Sequence, residues 1–98
     1  SFRDYIWNEC ICLRGKALQM EWPEQDIVST VEFLTFERSK RFVVGIKEEC
    51  INPKILSILR SNGIVTENGN LVRLKYDVYE DICFERKFDV FFTFRHIY

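Results

Sequence analysis

The stretch YDVYEDICFERKFDVFFTFRHIY, residues 76–98, holds the densest run of aromatic side chains in the sequence. Four of the nine phenylalanines in the chain, Phe88, Phe91, Phe92 and Phe94, fall within seven positions of it. Phe88, Val90, Phe92 and Phe94 alternate onto one side, while Asp89, Phe91, Thr93 and Arg95 occupy the other, the period of two that marks a half-buried strand. The expectation is a connection after Tyr76 followed by a strand from about Phe88. Phe88, Phe92 and Phe94 then lie inside a sheet, and Phe91 is left on the opposite, wetter face.

Working back from that strand, IVTENGNLVRLKY (64–76) reads as a hairpin. Its arms are Ile64 to Glu67 and Asn70 to Tyr76, joined at Asn68-Gly69, a pair typical of a type I′ turn. In the second arm Val72, Leu74 and Tyr76 face one way, and Arg73 and Lys75 the other. Before the hairpin, CINPKILSILRSNGI reads as a short helix near 53–62. Asn52 is a suitable N-cap, Pro53 suits the first helical position, and Ile55, Leu56, Ile58 and Leu59 form one stripe. Gly63 is placed to take the left-handed position that ends such a helix.

The first half is also β-prone. YIWNECICLRGKALQMEWP divides at Arg14-Gly15-Lys16 into two arms, with Leu18, Met20 and Trp22 alternating in the second. DIVSTVEFLTFERSKRFVVGI offers strands over Val28–Phe36 and Arg41–Ile46 around a charged turn, ERSK. A helix over Ile27–Phe36 is the weaker alternative, because Val28, Thr30, Val31 and Thr35 are β-branched. The sum is a mainly β (α+β) chain: a small barrel or strongly bent antiparallel sheet of about six strands, with one short helix.

The totals bound the function. Ninety-eight residues, 47% hydrophobic and 30% charged, suit one domain, 1–98, and the start at Ser1 suggests a piece of a longer protein. A net charge of −1 gives no general attraction to nucleic acid, so any such contact needs a local patch. No apolar run approaches the roughly 20 residues that span a bilayer, so no membrane partner is expected. Cys10, Cys12, Cys50 and Cys83 include no C-x-x-C, and His96, the only histidine, is not at zinc-finger spacing from any of them. Free thiols in a reducing, intracellular setting, cytoplasmic or nuclear, are expected, with no metal and no cofactor. Hydrolase, zinc-protease and phosphate-loop signatures are absent, which argues against an enzyme and against a small-molecule substrate.

RKFDVFFTF shares with the RNP1 motif a basic start and closely spaced rings. It lacks the glycine after the basic residue, and Asp89 adds negative charge. Phe91 with Arg95, together with Arg73 and Lys75 on a neighbouring strand, still forms a candidate aromatic and cationic contact patch.

The run GIVTENGNLVRLKYDVYEDICFERKFDVFFTFR, residues 63–95, resembles the end of the β-barrel insertion, domain 1B, that precedes the first ATPase motif in superfamily 1 RNA helicases of the Armitage branch. The shared features are a short strand at 63–66, VRLK at 72–75, and FDVFFTF at 88–94 followed by Arg95. The resemblance implies an accessory barrel that leans over an RNA channel, without the motor itself. Two functional expectations follow. One is an RNA-contacting accessory module of a helicase or RNA-silencing factor; the other is a protein-interaction module, in which a sheet edge or aromatic groove takes a peptide or partner domain.

Overall fold

The computed structural model describes residues 1–16 and 21–97, and for 89–97 the backbone alone. Among the described residues the elements are α1 (Phe2–Tyr5), α2 (Glu24–Arg41), β1 (Ile46–Lys47), α3 (Pro53–Ser61), β2 (Val65–Asn68), β3 (Leu71–Leu74) and α4 (Asp77–Ile97). α1 runs on into a π-helical segment, Ile6–Ile11, and β1 into one tight helical turn, Glu48–Cys50. The expected barrel of about six strands is corrected to three short antiparallel strands in the order β1-β3-β2, an open sheet in a mainly helical chain.

The parts with punctuated ends form as expected. The Asn52 side chain accepts from the N–H of Lys54 at 2.9 Å and of Ile55 at 3.3 Å, capping α3. At the other end Gly63 has φ 67°, and the N–H of Ile64 reaches the C=O of Leu59 at 3.0 Å, the closing bond of a Schellman motif. Ile55, Leu56 and Leu59 are buried. The hairpin forms too, with Val65 opposite Leu74 and Asn68 opposite Leu71. That register puts Gly69 and Asn70 in the loop, one residue later than expected. Gly69 has φ 63° and Asn70 is not among the positive-φ residues, the sign pattern of a II′ turn rather than I′.

Elsewhere helical period prevailed over strand propensity. Residues 24–41, which include the expected strand Val28–Phe36 and the ERSK turn, form one helix that takes in the weaker alternative, and of the expected strand Arg41–Ile46 only Ile46 is in a strand. Ile27, Val31, Leu34 and Thr35 fall at i, i+4, i+7 and i+8, and all are buried. Each β-branched residue costs only about 0.5 kcal/mol in a helix, less than burial of a large aliphatic side chain returns. Glu24 and Asp26 lie in the first turn and Arg38, Lys40 and Arg41 in the last, the arrangement that suits the helix dipole. The buried Thr35 hydroxyl is satisfied by the Val31 C=O at 2.9 Å.

The expected N-terminal strand arm is likewise helical. The N–H of Cys12 reaches the C=O of Trp7 at 2.8 Å, a span of five residues, and Ile6, Trp7, Ile11 and Cys12 enter the core. Cys10 and Cys12 therefore do not share a strand face. Leu18 and Met20, expected on a second arm, lie outside the described residues.

The aromatic-rich stretch, 76–98, is not a connection followed by a strand. Its backbone is helical over Asp77–Ile97. Tyr79, Ile82 and Cys83 are spaced for one helical face and are all buried, and Asp77 and Glu80 supply an acidic first turn. A helix begun on that anchored face extends at one hydrogen bond per residue, so the alternation at 88–94 is not what sets the backbone. Phe88 is 46% exposed and stacks on Phe84 at 6.4 Å, with the rings 9° from parallel, a helical i, i+4 pair. The side chains of Phe92 and Phe94 lie outside the described residues.

The core lies between the sheet and the helices. Val72 and Leu74 of the central strand, Ile46 of β1 and Val65 of β2 join Ile27, Val31 and Leu34 of α2, Leu59 of α3 and Ile82 of α4 in one buried cluster.

Candidate functional site

Of the sequence-predicted contact residues, Arg73 and Lys75 have described side chains. Arg73, on β3, is half-buried and committed to carboxylates: its Nη2 is 2.9 Å from Asp77 Oδ1 and 3.6 Å from Glu80 Oε1. Glu80 is 95% buried in effect, with only 5% of its surface exposed, and is also held by Arg38, whose Nε donates to Oε2 at 2.7 Å and whose Nη2 donates to Oε1. Hydrogen bonding to Glu80 raises the Arg38 pKa above its already high ordinary value, against the opposing effect of burial. Lys75 is exposed, with its Nζ 5.5 Å from the Tyr76 ring centroid. Phe91 and Arg95 lie on the α4 backbone, and their side chains are outside the described residues. The expected patch is thus seen only in part, and its best-placed cation is internally paired. α3 offers no free cationic face at Arg60 either, since Arg60 binds Glu67 at 2.6 Å and Glu48 at 2.9 Å.

A different surface stands out at the end of α2. The helix closes on Phe42 at φ 53°, ψ 41°, in the left-handed region, with the Val43 N–H on the Arg38 C=O at 3.2 Å. That is the position glycine takes at the end of α3. For a residue with a Cβ the conformation costs about 1–2 kcal/mol, and Phe42 recovers none of it by packing, because it is 96% exposed. Val44, two residues on, is 62% exposed, while Val43 between them packs against the core. The next residue must be small: a Cβ on Gly45 would lie 3.1 Å from Leu71 Cβ and from the Val72 C=O.

The result is a ridge, Phe42 and Val44, between two grooves. The larger, about 610 Å³, is lined by Arg41, Lys47, Glu49 and Leu71 beside the ridge. The smaller, about 380 Å³, lies toward Arg38 and Arg73. The larger groove follows the edge of β1, which among the described residues has a strand on one side alone. Glu48 donates to the Asn70 C=O at 2.8 Å, and Ile46 is opposite Val72, so 48/70 and 46/72 are the hydrogen-bonded pairs of the ladder. The Gly45 C=O and the Lys47 N–H, on the far sides of the two peptides flanking Ile46, therefore point away from β3 into the groove.

One further concavity is occupied by its own contacts. In the groove between the N-terminal helical segment and α4, Arg3 pairs with Glu85, and Arg86 sits 4.3 Å from the Trp7 ring centroid. All four cysteines are free. Burial is the largest cause that pushes the thiols of Cys12 and Cys83 up to about 11, so neither is a nucleophile at neutral pH. Among the described residues no cluster of His, Cys, Asp and Glu is arranged to hold a metal ion, and no helix is long and apolar enough to cross a membrane.

Sequence reading missed the ridge because RFVVGI, at 41–46, has strand composition. The available signal was a helix ending in SKR with no glycine or asparagine after it. No family model, no curated protein and no solved structure matches the chain.

Proposed function

We propose that the chain is a protein-interaction module whose contact surface is the Phe42–Val44 ridge and the edge of β1. The observation that carries this reading is Phe42 itself, a large aromatic side chain held in a left-handed conformation and almost wholly in water. Strain that no internal contact offsets is the kind that persists at binding sites. Aromatic side chains are also the residues most often found as anchors at protein interfaces. The pairing of Arg73 with Asp77 and Glu80 argues against RNA at the patch expected around Arg73, since phosphate contacts need free cations.

The test is affinity capture from cell extract with the wild-type chain and with Phe42→Gly, the captured material being identified by mass spectrometry. A protein retained by the wild type and lost from the folded variant is the expected result. Capture of the same set by both, or of RNA that survives protease treatment, contradicts the proposal.

A further inference from the structure

Resting on that reading, we infer that the occupant of the ridge is an extended acidic segment with an apolar anchor, added as a strand along the open edge of β1. The Gly45 C=O and the Lys47 N–H flank Ile46 and point into the groove. That is the spacing at which an added strand donates to the first and accepts from the second. A helix laid in the groove would leave both groups unpaired.

Charge selects among extended segments. Lys40, Arg41 and Lys47 are exposed and form no ion pair among the described residues, whereas Arg38, Arg60 and Arg73 are each committed to internal carboxylates. Glu49 is the carboxylate on the groove wall, so the cations around it outnumber it. Acidic side chains on the incoming strand meet those cations, while an apolar side chain enters between Phe42, Val44 and Leu71.

A nucleic acid also carries negative charge, but its phosphates make no use of the strand-spaced pair at Gly45 and Lys47 or of the aliphatic wall. A peptide is therefore the occupant the surface fits.

The experiment is selection from a random-peptide display library on the intact chain, followed by titration of the enriched sequence as a synthetic peptide and amide hydrogen exchange of the complex. The inference predicts enriched peptides that are acidic around a large apolar residue. It predicts affinity weakened about tenfold or more by Phe42→Gly and by the Arg41→Glu, Lys47→Glu double variant, and slowed exchange at the Lys47 amide on binding. No enrichment, enrichment of basic peptides, unchanged exchange at Lys47, or tighter binding of a single-stranded oligonucleotide at the same residues overturns it. Phe42-dependent capture of a protein without any peptide selection would place the error in the occupant alone. Loss of both results would remove the interaction reading as well.

Discussion

At the scale of single residues, Phe42 and Gly63 perform the same task, closing a helix in the left-handed region, with opposite side-chain consequences. Glycine does it without steric cost, whereas phenylalanine does it at about 1–2 kcal/mol. Replacing Phe42 with glycine should therefore raise stability by about 1 kcal/mol, or a Tm gain of about 4–8 °C in a domain of this size, because an exposed ring contributes no packing. Phe42→Ala keeps the strain and should melt close to wild type. A lower Tm for Phe42→Gly would mean that the ring stabilises the fold and is not held for a partner. Glu80 is the counterpart on the inside. Glu80→Ala strips the carboxylate from Arg38 and Arg73, which keep 26% and 30% exposure and so reach some water. The expected loss is about 2 kcal/mol, below the 3–5 of a fully buried pair, read from the urea midpoint.

At the scale of elements, the close approach of the β1 side to β3 depends on Gly45. Gly45→Ala sets a Cβ against backbone atoms of Val72, which cannot swing aside as a side-chain tip can, and should cost about 1 kcal/mol by overpacking. Chemical denaturation measures it. α2 and α4 share a dependence on pH through Cys12 before one and Cys83 within the other. Their thiols titrate from an ordinary 9.0 to about 11 when buried, so between those values the folded chain holds protons that the unfolded chain has released. Stability is intact below pH 9 from these groups and falls as pH rises toward 11. Cys83→Ala should flatten that fall in a series of melts. The same elements show what the sequence made legible. α3 and the hairpin were readable because their ends carry Asn52, Pro53, Gly63 and Gly69, residues whose backbone chemistry is local. α2 and α4 were not, because Thr, Val, Ile and Phe satisfy a period of two and a period near four equally well over short windows. Only burial of Ile27, Val31, Tyr79 and Ile82 against other elements decides between them. Arg73 was correctly placed on a wetter strand face, but its pairing with Asp77 and Glu80 depends on α4 being a helix, which strand-like residues 88–94 concealed.

At the scale of the whole molecule, the helices and the open sheet enclose one core and leave the α2–β1 junction projecting from it, with an aromatic residue at its tip and, among the described residues, cations without ion pairs around it and an unpaired strand edge beneath. A closed barrel, one of the two forms expected for the six strands, would have had no such edge; among the described residues the three-stranded sheet has two, and the ridge stands over one of them. The most direct measurement is photo-cross-linking in cells with a photoreactive phenylalanine analogue at position 42, compared with the same analogue at Ser57, an exposed site on α3. A discrete polypeptide adduct at position 42 and none at 57 is the expected result. Adducts that yield to nuclease rather than protease, equal labelling at both positions, or no adduct at position 42 would contradict it.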